Sequence, residues 1–276
     1  MRPDDVAAAE AVARASLFRG DAPESDPPAI ERGRRRVAHL QRTDPAGAWV
    51  AEADGEIVGL SLALVREGIW GLSLFAVAGE HRGRGIGREL LEACFGHGAD
   101  ARGHLILSTE HPAAMRRYAR LGLDLRPCVA AAGIVDRGRL PASDGVEEAG
   151  PEGIPVADAI GRAVRGAGHG IDLEVFLRDR GTRLLLVEDR AFAVVRGERV
   201  MLVAGLDEPA STRVLNGAFA ATPPGATVSV DFLTAGQDWA VRACLDAGLV
   251  LSPDGPLFTG GDLGPMRPYI PSGAYL

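Results

Sequence analysis

From Asp4 the stretch VAAAEAVARASLF places apolar residues at helical spacing and predicts a first helix, followed by a proline- and acid-rich loop from Arg19 to Pro28. Ile30 to Gln41 predicts a second helix, whose run Arg34, Arg35, Arg36 reads as a solvated charged face. The period then changes. Ala48 to Glu52 and Glu56 to Val65, on either side of Asp54-Gly55, predict a β-hairpin, and Leu72 to Ala78 a third strand. That strand runs into a glycine-dense turn and then into GRELLEACF, a helix with Ile86, Leu90, Leu91, Cys94 and Phe95 on one stripe. Leu105 to Ser108 reads as a short strand, Ala113 to Leu121 as a helix ended by Gly122, and Cys128 to Val135 as another strand.

From Asp136 to Pro155 glycine, proline and acids replace the periodicity, which marks a linker. Beyond it the pattern resumes, with a helix near Val156 to Arg165, strands at Arg183 to Glu188, Phe192 to Arg196 and Val200 to Ala204, a helix over Ala210 to Ala221, a strand over Thr227 to Leu233 and a helix over Gln237 to Ala247. The order of elements resembles that of the first half. Aligning Gly122 with Gly248 sets MRRYARLGL against AVRACLDAGL, and so places Cys244 opposite Tyr118. The reading is two domains, 1–138 and 156–276, joined by a linker, 139–155.

Composition removes several chemistries. All 30 formally basic side chains are arginine, so a lysine Schiff base and a G-x-x-x-x-G-K-[ST] phosphate loop are excluded. A net charge of −7 argues against a nucleic-acid partner, so any anion site must be local. Cys94, Cys128 and Cys244 have no C-x-x-C spacing and the six histidines no ligand pattern, so neither a disulfide framework nor a metal is expected. Met1 to Glu10 carries three acids and no apolar core, and no apolar run is long enough to span a bilayer. A soluble cytoplasmic protein without a membrane partner is expected.

The chemistry concentrates in LFAVAGEHRGRGIGRELL, Leu74 to Leu91. Glycines 83, 85 and 87 let consecutive N–H groups point into one concavity at a helix N-terminus, where the helix dipole favours an anion such as a pyrophosphate. Arg82, Arg84 and Arg88 add charge at the same place. A Rossmann fingerprint fits poorly, because counting G-x-G-x-x-G from Gly83 puts the third glycine at Arg88, and because the turn follows an antiparallel hairpin.

R82-G-R-G-I-G87 matches R/Q-x-x-G-x-G/A, and with Phe75, Ala76 and Val77 before it resembles the coenzyme A motif of the GNAT superfamily of N-acetyltransferases. HPAAMRRYARLGL, from His111 to Leu123, is similar to that family's second signature, N-x-x-A-x-x-x-Y-x-x-x-G-F, with Ala114, Tyr118 and Gly122 in place. The resemblance implies a GNAT α/β fold, a mixed and mostly antiparallel sheet flanked by helices, in two tandem copies. It implies acetyl-CoA as cosubstrate, with the pantetheine arm lying beside Phe75, Ala76 and Val77 like an added strand and the pyrophosphate held by Arg82, Gly83, Arg84, Gly85, Ile86, Gly87 and Arg88. Tyr118 would be the general acid that donates to the leaving thiolate, since a phenol stays protonated at neutral pH. The implied acceptor is an amine, of a small molecule or a peptide, attacking the thioester directly. Homodimerisation is left open.

Two departures stand out. His111 occupies the family's asparagine position and Leu123 its final aromatic. His111 is a candidate base or a helix cap, and Glu110 a candidate base or an acid favoured by the helix N-terminus. The step can also pass through water. In the second half GLDEPASTRV lacks the glycine cluster, and Asp207 and Glu208 would repel a pyrophosphate, so that half resembles a copy that has lost its cofactor site. Trp239 is expected in the core. The tail PMRPYIPSGAYL is expected to be ordered on its own domain, the alternative being that Tyr269, Tyr275 or the Leu276 carboxylate reaches the cleft. The competing functional reading is an acyl-CoA-binding regulatory or structural module with little or no transfer.

Overall fold

The computed structural model describes residues 1–17, 26–142 and 144–276. Most of the loop expected from Arg19 to Pro28 lies outside the described residues. The chain divides into two compact units, Met1–His104 with Ala274–Leu276, and Leu105–Gly273.

In the first unit, α1 (Val6–Leu17) and α2 (Pro27–Thr43) precede a meander of β1 (Ala48–Ala53), β2 (Glu56–Arg66) and β3 (Ile69–Val77), then α3 (Ile86–Gly96). Both hairpin turns, Asp54-Gly55 and Glu67-Gly68, have two successive positive φ angles, the conformation that matches the twist of the strands they join. Leu60, Leu62, Leu64, Trp70 and Leu72 are buried, and α3 lays Leu90, Leu91 and Cys94 on this core. Ser61 Oγ donates to the Leu90 carbonyl (3.0 Å) and Trp70 Nε1 to that of Cys94 (3.1 Å), which fixes α3 on the sheet. Asp44, just past α2, pairs with Arg66 at 2.9 Å and accepts from the Val65 N–H and the Thr43 hydroxyl. Burial pushes its pKa up, but these three groups outweigh it and hold the carboxyl below its usual range.

The arginine run is not a uniformly solvated face. Arg34 is exposed and Arg35 pairs with Glu31, but Arg36 reaches Ser73, with Nε 3.0 Å from the hydroxyl and Nη2 on the carbonyl. Ser73 sits at a β-bulge in β3, where Leu62 faces Leu74 and Ala63 faces Leu72. Its hydroxyl donates to the Ala274 carbonyl at 2.6 Å, Tyr275 meets His39 edge-on, and Leu276 covers Gly71. The last three residues thus belong to the first unit, whereas the tail was expected on the second domain alone.

The second unit takes most of β4 (Gly103–Leu107), then α4 (Pro112–Arg120), β5 (Asp124–Ile134), β6 (Val146–Ala149), α5 (Ile154–Arg165), α6 (Gly170–Arg178), β7 (Thr182–Val187), β8 (Ala191–Arg196), β9 (Arg199–Gly205), α7 (Glu208–Ala221), β10 (Thr227–Thr234), α8 (Asp238–Asp246), β11 (Val250–Gly261) and β12 (Tyr269–Ile270). Its sheet runs β4, β11, β5, β10, β9, β8, β7, β6, with β12 paired to β9. β9 and β10 are parallel, whereas β5 with β10 and β11, β6 with β7, β7 with β8 and β8 with β9 are antiparallel. The core joins Val195, Val203, Val214, Phe219, Val230, Trp239, Cys244 and Ile270, and Trp239 is 5% exposed, as expected of a core residue.

The order of elements repeats: a helix pair, a three-stranded meander, then helix, strand, helix, strand. Gly122 and Gly248, each just past a nine-residue helix, have φ of 82° and 87°. The two runs are interleaved, because β5 ends the first run yet lies between β11 and β10. This is why the compact division falls at His104 rather than near 138. The segment read as a linker contains β6, a short edge strand whose Val146 packs on Gly217.

Candidate active site

β3 leads through one 3-10 turn, Gly79–His81, to Arg82 in extended conformation, then Gly83 (φ 81°), Arg84 and Gly85 (φ 92°), where α3 begins. A Cβ on Gly83 would meet nothing within 4 Å, and one on Gly85 only Glu89 Oε1 at 3.9 Å. Conformation rather than space therefore favours glycine at both positions. The first N–H inside the helical ladder is that of Arg88, bonded to the Gly85 carbonyl at 2.8 Å. The N–H groups from Gly83 to Gly87 donate no hydrogen bond among the described residues, so the helix start keeps its donors for an external acceptor.

The charges around this turn are arranged unevenly. Arg84 is exposed; Arg88 is exposed and 3.8 Å from Glu92. Arg82 Nε donates to the Val77 carbonyl at 2.9 Å, folding the guanidinium back over the end of β3, where Ser16 Oγ also reaches. In β3 itself Ala76 is buried, whereas Phe75 and Val77 are half-buried. Sequence reasoning missed Ser73 and Arg36, which brace β3 immediately upstream; a lone serine within the apolar run GLSLFAV was the available signal.

Glu110, His111 and Tyr118 lie in the second unit. His111 is the N-cap of α4, exposed, with Pro112 at the first helical position, and its carbonyl accepts from Ala114 and Met115. Its side chain makes no cap bond. Glu110 is exposed. Tyr118 is buried, its ring edge-on to Phe258 with centroids 5.4 Å apart. Phe75 to Arg88 thus form one continuous strand, turn and helix in the first unit, and Glu110, His111 and Tyr118 one loop and helix in the second.

The counterpart helix start in the second run is built differently. Asp207 caps α7, accepting the Ala210 N–H at 2.7 Å and pairing with Arg190 Nε at 2.7 Å. The Ala210 N–H and then the Arg190 guanidinium hold its carboxyl below the usual range. The three thiols are buried, and desolvation pushes Cys94 and Cys244 up to about 12 and Cys128 to about 11. No group of three metal-ligating side chains occurs among the described residues, and none of their helices is long and apolar enough to cross a membrane.

Known proteins share this organisation. The sequence pattern of the Acetyltransferase (GNAT) family matches residues 14–123. No curated protein matches the chain. Among solved structures, a putative acetyltransferase from Pyrococcus horikoshii superposes with a TM-score of 0.81 at 16% identity, covering 100% of this chain and 94% of that one. GCN5-related N-acetyltransferases from Kribbella flavida (TM-score 0.58, 15% identity, 95% and 70% covered) and Sphaerobacter thermophilus (0.55, 16%, 99% and 96%) share the fold as well. At such identities the likeness establishes the fold, a mixed and mostly antiparallel α/β sheet flanked by helices. The chain thus resembles the acetyltransferase (GNAT) family over residues 14–123, and its fold is similar along its whole length to those of the putative acetyltransferase from Pyrococcus horikoshii and the GCN5-related N-acetyltransferase from Sphaerobacter thermophilus.

Proposed function

We propose that this protein is an acyl-CoA-dependent N-acyltransferase that moves an acetyl or other short acyl group from the CoA thioester to an amine by direct attack. The observation that carries this reading is the turn from Arg82 to Arg88, where two left-handed glycines leave the N–H groups of Gly83 to Gly87 undonated at the start of α3. That is the arrangement a pyrophosphate requires. Arg84 and Arg88 add forked donors that stay charged at any working pH. Phe75, Ala76 and Val77 would receive the pantetheine arm along the strand.

In the reaction proposed, the amine nitrogen adds to the thioester carbonyl, and the tetrahedral intermediate collapses with cleavage of the carbon–sulfur bond. The Tyr118 phenol gives its proton to the departing thiolate, and the amine proton leaves to water or to Glu110 or His111. Both carboxylate and imidazole are exposed, which suits exchange with solvent. Acceptors are amines of small molecules or peptides, whose attacking nitrogen must be in its neutral form.

Acetyl-CoA binding followed by release of free thiol across an amine panel tests the proposal. Tyr118→Phe is expected to lower kcat while leaving the affinity for acetyl-CoA within about twofold. Full activity in that variant would remove Tyr118 from the role. The burial of Tyr118 against Phe258 favours a second reading, an acyl-CoA-binding module with little transfer. Tight binding with no thiol release from any amine would select it.

A further inference from the structure

In the second run, β9 and β10 are parallel neighbours only at their beginning, where Arg199 faces Ser229 and Val200 faces Val230. Beyond that, β10 bulges at Asp231 and Phe232, the latter at φ 59°, and the outer edge of β9 would be left without a partner. An open strand edge inside a core costs unsatisfied N–H and C=O groups. The chain fills it with its own tail. β12 pairs with β9, Tyr269 against Ala204 and Ile270 against Val203, and the Gly205 N–H donates to the Pro268 carbonyl at 3.2 Å.

The tail is held along its length. The Gly264 and Met266 N–H groups donate to the Arg165 and Val164 carbonyls at the end of α5 (3.1 and 2.8 Å). Gln237, the residue before α8, is aligned with His111 before α4. Its Nε2 donates to the Met266 carbonyl (2.8 Å) and its Oε1 accepts the Tyr269 N–H (3.1 Å) and Trp239 Nε1 (2.8 Å). The Tyr269 hydroxyl meets His169 Nε2 at 3.2 Å, and Tyr269 and Ile270 are each 1% exposed.

In the first run the corresponding edge belongs to β3, where the proposed function seats the pantetheine arm as an added strand. We propose that Pro268 to Ile270 are a built-in occupant of the second run's cofactor cleft, standing where that arm would lie, so that the chain takes a single acyl-CoA, at β3. This rests on the acyl-CoA reading of the first run. Two further features of the first run are replaced in the second: the α7 start is capped by Asp207, and the position of Tyr118, the proposed proton donor, is held by the fully buried Cys244. The tail is therefore a permanent structural strand and not a displaceable lid.

Two measurements on the full chain test this together: the stoichiometry of acetyl-CoA binding by calorimetry, and amide hydrogen exchange with and without saturating acetyl-CoA. One molecule bound per chain is expected, with the amides at 203–205 and of Tyr269 and Ile270 protected beforehand and unchanged by ligand, while those at 83–88 slow by about tenfold. Gln237→Ala is expected to speed exchange of the Tyr269 and Ile270 amides and still to bind one molecule. Two molecules per chain would overturn the proposal, as would unprotected amides at 203–205, or exchange there that accelerates when acetyl-CoA displaces the tail. No binding at all, with the amides at 203–205 and of Tyr269 and Ile270 protected, would refute the acyl-CoA reading while leaving the tail as the occupant of the cleft.

Discussion

Helices α3 and α7 follow the third strand of equivalent meanders and begin in opposite ways. α3 starts at Gly85, in a left-handed conformation and without a side-chain cap, whereas α7 starts at Asp207, whose carboxylate takes the Ala210 N–H. Every helix start exposes donors that need an acceptor. One takes a donor with its own carboxylate and the other leaves its donors unbonded within the chain, which in the function proposed is the difference between a scaffold and a binding site. The pattern recurs one helix later, where Tyr118 is matched by Cys244, and at the strand edge, where β9 is covered by β12.

The sharpest way to break this comparison is to give α3 the cap that α7 has. Gly85→Asp places a carboxylate at a left-handed position that aspartate tolerates better than most residues. Acetyl-CoA affinity is expected to fall by more than about 100-fold through repulsion and occupied donors, with a much smaller change in melting temperature. Calorimetry would check this, and affinity within threefold of the parent would separate the turn from binding.

Next in size is the pair Tyr118→Phe and Cys244→Ala. Loss of a general acid is worth about 10²-fold in kcat, whereas the buried thiol in the second run should leave turnover unchanged and lower only stability. Steady-state rates on both variants measure the contrast.

Two carboxylates with lowered pKa give a smaller, pH-dependent effect. Asp44 and Asp207 both titrate lower in the folded chain than in the unfolded one. Each therefore contributes stability that is present above the unfolded value, about 3.9, and is lost as pH falls through the folded value. Asp44→Asn breaks a buried pair and should cost about 3 kcal/mol at neutral pH, and Asp207→Ala, which removes a helix cap, about 1 kcal/mol. In melting curves from pH 7 down to pH 2 both variants should converge on the parent at the acid end. Asp207→Ala should not gain a second acetyl-CoA site, because β12 still fills the cleft.

Much of this architecture was legible in the sequence, and the exceptions share a cause. The Gly83-Gly85 turn, the Asp54-Gly55 hairpin and the stripes of α3 and α8 are local, and local rules found them. α6 was missed because GIDLEVFLR alternates like a strand, and its start is capped from α5, where Asp158 Oδ1 accepts the His169 and Gly170 N–H groups. β11 was missed because Pro253, Gly255 and Pro256 interrupt it; it persists by pairing with β5 on both sides of a shift in register between Asp254 and Leu257. β5 begins four residues earlier than expected, at Asp124, for the same reason. At the site, the turn was visible, but Arg36 on Ser73 and Gln237 on the tail are contacts between distant segments that no spacing rule encodes.

The central claim is that the turn at the start of α3 is an acyl-CoA site, and thermal melting of the full chain with millimolar acetyl-CoA tests it most directly, with Gly85→Asp as control. At a hundred times Kd the ligand would stabilise the parent by about 2.7 kcal/mol, so a rise of several degrees is predicted for the parent and none for the variant. An unchanged melting temperature in the parent, or an equal rise in both proteins, would contradict it.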